Sequence, residues 1–267
     1  MLPVVPTLPG LGSQSFVVIT GGGGVLGEAL AASLVRMGAR VGLVGRTRKA
    51  LQEAASRCDG PGQVFVAQAD VSSRQAMSEA VDALVAQGGP PTGLVNMAAL
   101  ISTTRTIEEV GEEEIDALLS VNVKGSFEVV RACAPLMKHA GRGSIVLVSS
   151  VAAHRARAGS PLYGASKAAV IRLTQQLALD LGPHGIRVNC MSPGQTPTQL
   201  KLWNATGADS VADDPRGAPS GDPSKLPLRR RGKAEDYVGP VLFLLSDLSD
   251  YVTGIDLPVD GGLLARL

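Results

Sequence analysis

Residues 16–27 read Phe-Val-Val-Ile-Thr-Gly-Gly-Gly-Gly-Val-Leu-Gly, and apolar positions at helical spacing continue over 28–37. The apolar run predicts a short buried strand, the four glycines predict a tight turn, and the segment after them predicts an amphipathic helix. The first N–H groups of such a helix can hold a phosphate, because they lack backbone partners and lie at the positive end of the helix dipole. This stretch therefore predicts one strand–turn–helix unit that binds a dinucleotide pyrophosphate.

The rest of the chain repeats the alternation of strand and helix. Strands are predicted at 40–45, 63–67, 145–148, 186–191 and 255–259, with another that ends in 94–99. Helices are predicted from Ser73, over 112–139, from Pro161 and over 234–248. This order predicts an α/β fold with a doubly wound parallel sheet (a Rossmann fold) and a site at the carboxyl ends of the strands. We assign residues 1–15 to a loosely ordered leader, 16–267 to a single domain, and 195–227 to a substrate loop.

A second informative stretch runs from Ser150 to Lys167. Tyr163 and Lys167 lie four residues apart, which places both side chains on one face of the predicted helix. A phenol has a pKa of about 10, and a neighbouring cation lowers it because the cation favours the phenolate. The hydroxyl of Ser150 could then bind the oxygen on which charge changes. The stretch predicts a site that moves a proton to a carbonyl or from an alcohol. Further along the helix, apolar positions from Leu162 to Leu181 predict one buried face.

On these motifs the chain resembles the short-chain dehydrogenase/reductase family from Phe16 to Gly262. The resemblance rests also on Thr20-Gly21 and Gly27, on Asn122, and on the C-terminal Val-Asp-Gly-Gly at 259–262. It implies an NAD(P)-dependent oxidoreductase that interconverts a ketone and a secondary alcohol. The catalytic residues implied are Ser150 at the substrate carbonyl, Tyr163 as general acid/base, Lys167 at the ribose, and Asn122, which positions a water that links the lysine to solvent.

The resemblance also implies a cofactor site without a metal. Its residues would be Gly21, Gly24, Leu26, Gly27, Arg46, Asp70, Val71, Asn96, Ala98, Tyr163, Lys167, Pro193, Gly194, Thr196 and Thr198.

Three positions depart from the family pattern. Val25 stands where the family has its middle glycine, so Gly24 would serve in its place. Met97 and Ala99 stand where the family has Asn and Gly. Asp70, taken by itself, is better explained as the cap of the helix that begins near Ser73 than as a cofactor contact.

The end of the second predicted strand bears on the choice of cofactor. Gly45 stands where an acidic residue would bind the ribose hydroxyls of NAD, and Arg46, Arg48 and Lys49 follow it. A neutral residue followed by cations favours NADP(H) over NAD(H). The other interpretation is a solvated basic turn with no cofactor role.

Composition restricts the compartment and the partners. The formal charge of +1 over 267 residues gives no electrostatic reason to expect nucleic acid or a membrane surface as a partner. Cys58, Cys133 and Cys190 are odd in number and widely spaced, which favours free thiols in a reducing compartment. The first fifteen residues lack the basic start of a signal peptide. We expect a cytoplasmic protein and, from the resemblance, a homotetramer in which the helices of Asn122 and Tyr163 pack against a twofold copy.

Other functions remain open at this point. A non-catalytic dinucleotide sensor or scaffold could share the fold, although such relatives would be expected to lose Ser, Tyr or Lys. An enoyl reductase would need a different spacing of Tyr and Lys, and a sugar epimerase would need a larger C-terminal part. The substrate could be a 3-oxoacyl thioester, a sugar acid or a polyol. His154, Arg155 and Arg157 would favour an anion, unless they are solvated or pair with acids elsewhere. Trp203 could cover the substrate.

Overall fold

The computed structural model describes residues 8–101, 106–156, 158–159, 161–196, 201–202 and 222–266. Residues 1–7 of the leader and most of the loop 195–227 lie outside this set. Three residues singled out in the sequence, Arg157, Thr198 and Trp203, also lie outside the described residues.

Within the described residues, seven parallel strands form one sheet in the order β3-β2-β1-β4-β6-β7-β9. The order reverses between β1 and β4, which is where doubly wound sheets open a crevice for a ligand. A separate pair joins β5 to β8. The predicted fold class is confirmed. The strands are β1 (Phe16–Thr20), β2 (Arg40–Gly45), β3 (Gln63–Gln68), β4 (Gly93–Asn96), β5 (Leu100–Ile101), β6 (Gly143–Val148), β7 (Ile186–Pro193), β8 (Lys201–Leu202) and β9 (Asp256–Val259).

Helices cover both faces of the sheet. The first helix begins at Val25, three residues before the predicted start, and the last ends at Leu245 rather than Leu248. The helices are α1 (Val25–Arg36), α2 (Arg48–Ser56), α3 (Arg74–Gly88), α4 (Glu112–Leu118), α5 (Gly125–Ala140), α6 (Pro161–Leu181) and α7 (Ala234–Leu245).

The single helix predicted over 112–139 is interrupted. Leu119–Lys124 forms a π-helical segment between α4 and α5, and Asn122 lies within it. Single π-turns inside helices are rare, and many of those that occur lie at functional sites. The extra residue turns a side chain away from the regular helical positions. Periodicity could not predict this segment, because its apolar pattern continues that of the flanking helices.

Two large apolar clusters form the core of the described residues. One lies between the sheet and α3, α5 and α6, and includes Val129, Met137 and Ile145. The other lies between the sheet and α1 and α7, and includes Leu30 and Val241. Burial of each such side chain stabilises the fold by about 1.5–3 kcal/mol. These clusters fix the sheet, and with it the strand ends that carry the site.

The predicted apolar face of α6 is only partly buried. Leu173 and Leu181 are buried, whereas Ala165 is exposed. The helix turns a partly polar face inward instead, with Tyr163 and Lys167 in its first turns.

Residues 8–15 contact the domain although we assigned them to the leader. Leu11 is buried, the Arg40 N–H donates to the Ser15 carbonyl, and the Asp247 N–H donates to the Pro9 carbonyl. The three cysteines carry free thiols, as predicted. Within the part of the chain that the structure describes, none of the helices is sufficiently long and apolar to cross a membrane.

Candidate active site

The turn between β1 and α1 is shaped by two glycines. Gly21 has φ +68°, and a Cβ there would lie 2.9 Å from the Ala98 nitrogen. A Cβ on Gly27 would lie 2.7 Å from the Gly21 carbonyl oxygen, so only glycine lets α1 pack this closely on the turn. At Gly24, by contrast, the one atom within 4 Å of a Cβ among the described residues is the Gly21 oxygen, at 3.3 Å. Of the glycines in this turn, Gly21 and Gly27 are therefore the two whose Cβ would come within 3 Å of backbone atoms.

The start of α1 fits a phosphate. Gly24 occupies the N-cap, and among the described residues no side chain caps the helix there. The N–H groups of the first turn, which includes Leu26, are therefore available to a ligand. Val25 is the first helical residue and is 37% exposed, so its side chain stands beside these groups.

The side chain of Asn96, at the end of β4, is hydrogen-bonded to other residues of the protein. Its Oδ1 accepts from the Thr20 hydroxyl at 2.5 Å, and its Nδ2 donates to the Ser126 hydroxyl at 2.9 Å. The amide thereby joins β1, β4 and α5 at a position where it is almost fully buried. Any contact of Asn96 with a cofactor would use its backbone, as would contacts of the neighbouring Ala98.

Asp70 does not cap α3. Its carboxylate accepts from the N–H and the hydroxyl of Ser72 at 2.8 and 2.7 Å, whereas Ser73 is the N-cap and accepts from the Ala76 N–H. Asp70 thus closes a turn after β3, and the neighbouring Val71 is buried against Gly125.

The end of β2 carries the basic turn. Arg46 is exposed, and its carbonyl accepts from the Gln68 side chain at 2.8 Å. A Cβ on Gly45 would approach the flexible side chain of Leu51 at 3.3 Å. This position therefore has nearly enough room for a larger residue.

Ser150, Tyr163 and Lys167 meet where β6 ends and α6 begins. The Ser150 hydroxyl lies close enough to the phenol of Tyr163 to lower the pKa of that phenol. The Lys167 ammonium lies 5.9 Å from the centroid of the Tyr163 ring and donates to the Val148 carbonyl at 2.9 Å. Tyr163 and Lys167 are both buried, so the three side chains predicted from the sequence are brought together in a largely dry site.

Burial controls the protonation of this cluster. Burial raises the pKa of Tyr163 to about 12, and the hydrogen bond from Ser150 opposes that rise. Burial lowers the pKa of Lys167 to about 8, and the negative charge of a Cys190 thiolate would oppose that fall. The prediction that the pKa of Tyr163 lies below its ordinary value is wrong for this structure, because burial raises that pKa by more than the Ser150 hydroxyl lowers it.

Asn122 acts as a clamp between two segments. Its Oδ1 accepts from the Leu100 N–H at 2.8 Å, and its Nδ2 donates to the Leu100 carbonyl and the Ser166 hydroxyl, each at 3.0 Å. The Ser166 hydroxyl in turn donates to the Tyr163 carbonyl at 2.8 Å. Asn122 therefore connects β5 to the start of α6, and both N–H groups of its amide are used by these contacts.

The chain at the end of β7 forms another part of the candidate site. A Cβ on Gly194 would lie 2.5 Å from the Asp260 Cα, so the chain after Pro193 can approach the C-terminal turn only with glycine there. The Thr196 hydroxyl is hydrogen-bonded to the Tyr237 hydroxyl of α7, and both residues are buried. Thr198 would follow but lies outside the described residues.

Three positioning residues escaped the sequence analysis. Ser149 donates its hydroxyl to the Lys167 carbonyl at 2.7 Å, Ser166 links Asn122 to Tyr163, and Tyr237 holds Thr196. Ser149, which precedes the predicted catalytic Ser150, and Tyr237, in a helix distant along the chain, carry no local sequence signal, because their partners are set by the tertiary fold.

Comparison with known proteins identifies the family. A family model described as enoyl-(acyl carrier protein) reductase matches residues 24–264. A probable galactose dehydrogenase from Rhizobium meliloti is 38% identical over 92% of this chain and 94% of its own length. A 3-oxoacyl-[acyl-carrier-protein] reductase from Thermotoga maritima is 35% identical over 92% of this chain and 96% of its own.

Solved structures agree with these relatives. A gluconate 5-dehydrogenase from Burkholderia cenocepacia, in complex with NADP and tartrate, has a TM-score of 0.83 at 30% identity and covers 95% of this chain and 96% of its own. A 3-ketoacyl-(acyl-carrier-protein) reductase from Brucella melitensis, complexed with NADH, has a TM-score of 0.83 at 28% identity, over 93% of this chain and 98% of its own. The chain is a nucleotide-dependent oxidoreductase that acts on CH–OH groups. It belongs to the short-chain dehydrogenase/reductase family.

Proposed function

We propose that the protein interconverts a ketone and a secondary alcohol, with Tyr163 as general acid/base and NADP(H) favoured over NAD(H). The observation that carries this proposal is the buried cluster in which the Ser150 hydroxyl lowers the pKa of the Tyr163 phenol and the Lys167 ammonium lies 5.9 Å from the centroid of the Tyr163 ring. A non-catalytic sensor would have no need to keep this cluster in a dry site. The Tyr-x-x-x-Lys spacing supports carbonyl rather than enoyl chemistry.

The side chains divide the work of proton transfer. Tyr163 keeps its proton at neutral pH, since burial raises its pKa to about 12, and it donates that proton to the ketone oxygen in reduction. Ser150 donates a hydrogen bond to the same oxygen and holds the carbonyl. Lys167 stabilises the phenolate that forms when Tyr163 gives up its proton. The bound dinucleotide supplies or accepts the hydride.

Asn122 keeps Tyr163 in place through Ser166, and burial of the cluster excludes water from the reacting atoms. The water that the family resemblance places beside Asn122 would not accept a hydrogen bond from its amide, because both N–H groups are already paired with Leu100 and Ser166.

Residues around the crevice would hold the dinucleotide. The turn at Gly21–Gly27 and the open start of α1 fit its pyrophosphate, and Asp70 with Val71 would lie at the adenine. Ala98 and the backbone of Asn96 would line the middle of the site. Pro193, Gly194, Thr196 and Thr198 would lie at the nicotinamide.

The preference for NADP(H) rests on Gly45 and Arg46, where an exposed guanidinium and no carboxylate stand at the end of β2. We expect Gly45→Asp to shift the preference toward NADH by about tenfold, because a carboxylate accepts from ribose hydroxyls and repels a 2′-phosphate. The measurement is kcat/KM for NADPH and for NADH in both enzymes. A variant with the parental ratio would contradict the assignment.

The proposal also covers the substrate class, the oligomeric state and the cellular location. The relatives named above act on a sugar, a sugar acid or a 3-oxoacyl thioester, which supports a polar ketone or alcohol as substrate. We also propose a cytoplasmic homotetramer. Exposed Phe127 on α5 and Leu179 on α6 support packing of these helices against a second copy.

The decisive experiment is a scan of the purified protein for oxidation of NADPH and NADH against a panel of ketones, with Tyr163→Phe as the matched control. We expect turnover by the parent protein with at least one ketone and none by the control. Turnover retained in the control would contradict the assignment of Tyr163. Binding of dinucleotide without turnover of any ketone or alcohol would favour the sensor.

A further inference from the structure

A second polar cluster lies beside the active site, where β9 pairs with β7. The His154 Nε2 atom lies 2.6 Å from Oδ2 of Asp256, and the Ser192 hydroxyl donates to both oxygens of the same carboxylate, at 2.8 and 3.0 Å. The Asp256 side chain is 7% exposed and that of His154 is 34% exposed. The cluster borders Lys167 through Ser149, whose N–H donates to the Met191 carbonyl at 2.9 Å and whose hydroxyl donates to the Lys167 carbonyl at 2.7 Å.

Strand register explains why these side chains meet. The parallel ladder pairs Cys190 with Asp256, and Ser192 follows two residues later. Side chains two residues apart on one strand share a face, so Cys190, Ser192 and Asp256 lie on the same side of the sheet. Cys190 packs with residues of α5 and α6, which identifies that side as the one that faces α6. His154 reaches this side from the turn that follows Ser150.

The turn from Ser150 to His154 is anchored at both ends. At its start, Ser149 donates to the Lys167 carbonyl at 2.7 Å. Within it, the Ser150 hydroxyl accepts from the Ala152 N–H at 3.2 Å, and the His154 N–H donates to the Val151 carbonyl at 3.1 Å. At its end, His154 bonds to Asp256, which lies 102 residues away along the chain.

The bond to Asp256 defines what His154 can do. An ionised carboxylate only accepts hydrogen bonds, so the proton of this bond belongs to His154 Nε2. The Nε2 N–H of His154 is therefore already bonded to the Asp256 carboxylate. Of the three basic residues predicted to attract an anionic substrate, His154 is therefore paired within the protein, Arg155 is exposed, and Arg157 lies outside the described residues.

We propose that His154 and Asp256 are positioning residues that hold the Ser150 hydroxyl against the reacting oxygen by fixing the far end of its turn to β9. This inference rests on the proposed role of Ser150. Catalytic groups must be held within about 0.5 Å of their working positions, and a turn tethered at one end only samples more conformations. The pair acts on the chemical step and leaves dinucleotide binding alone.

The test compares His154→Phe, which keeps a ring without a donor, with His154→Gln, which keeps an N–H near the position of Nε2. Each is made in the parent protein and in Ser150→Ala, and His184→Phe, in the exposed turn at the opposite end of β7, is the matched control. We expect His154→Phe to lower kcat about tenfold without a change in the Kd of the dinucleotide, measured by fluorescence titration. His154→Gln should recover most of kcat. In Ser150→Ala, His154→Phe should have no further effect.

The outcomes separate the inference from the proposed function. A tenfold loss that persists in Ser150→Ala would overturn the inference, because His154 would then act independently of Ser150. Parental kcat in His154→Phe would overturn it as well. Parental kcat in Ser150→Ala would instead overturn the proposed role of that serine, and the inference with it. Should His154→Phe fail to fold by thermal melting, Asp256→Asn removes the charge at nearly constant shape and should lower kcat in the same direction.

Discussion

The two ends of the crevice are built in opposite ways. At the turn between β1 and α1, the geometry depends on missing side chains, because a Cβ on Gly21 or Gly27 would meet backbone atoms within 3 Å. At the start of α6, it depends on side chains that are present and lie close together, with Tyr163, Ser150 and Lys167 at the centre. Changes at the glycine end should therefore disturb the fold and the binding of dinucleotide together, whereas changes at the tyrosine end should remove chemistry and spare the fold.

Tyr163→Phe should have the largest effect. The change removes the proton donor at nearly constant volume, and general acid–base catalysis contributes about 10²- to 10⁴-fold to the rate. We expect kcat to fall by that factor, while the melting temperature and the Kd of the dinucleotide stay close to the parental values. Activity within tenfold of the parent would contradict the proposed role of Tyr163 as proton donor.

Gly27→Ala tests the other end. The added Cβ meets the Gly21 carbonyl and cannot be relieved by a side-chain movement, so we expect a loss of about 1–3 kcal/mol in the free energy of unfolding. Dinucleotide binding should weaken in the same variant. Urea unfolding and a binding titration measure the two effects.

The control for Gly27→Ala is Gly239→Ala. A Cβ at this exposed position of α7 has no neighbour within 4 Å among the described residues. Its stability should stay within about 1 kcal/mol of the parent. Equal losses in both glycine variants would contradict the steric account of the turn.

The lowered pKa of Lys167 predicts how kcat/KM for ketone reduction depends on pH. Lys167 has a lowered pKa of about 8, so it is charged below that pH and loses its charge as the pH rises through it. If the cation stabilises the forming phenolate, kcat/KM for ketone reduction is constant below about pH 8 and falls above it. Tyr163, with a pKa of about 12, keeps its proton throughout this range. The measurement is kcat/KM from pH 6 to pH 10.

Lys167→Arg keeps a positive charge across that range. The decline above about pH 8 should therefore disappear in this variant, even where its overall rate is lower. A decline at the same pH in both proteins would assign it to another group.

Tyr237→Phe should have the smallest effect. It removes the hydroxyl that holds Thr196, and the net contribution of one such hydrogen bond is about 0.5–1.5 kcal/mol. We expect the Kd of the dinucleotide to rise about fivefold with little change in kcat at saturation. A fall in kcat with unchanged Kd would place Thr196 with the catalytic end of the crevice.

The sequence alone determined the parallel sheet and the main side chains that meet at the candidate active site. Both depend on local patterns: apolar runs that alternate with helical spacing, glycines where a turn requires them, and Tyr163 and Lys167 one helical turn apart. Even the departure at Val25 leaves the turn intact, because its close contacts involve Gly21 and Gly27.

Only the tertiary structure decided how these residues are held and how they titrate. The contacts of Asn122 with Leu100 and Ser166, the contact of Tyr237 with Thr196, and the bond from His154 to Asp256 each join residues that are distant in sequence. The sequence predicts the wrong direction for the pKa shift of Tyr163 for the same reason. The spacing places a cation nearby, but desolvation depends on every element packed around the phenol, and that sum exists only in the folded chain.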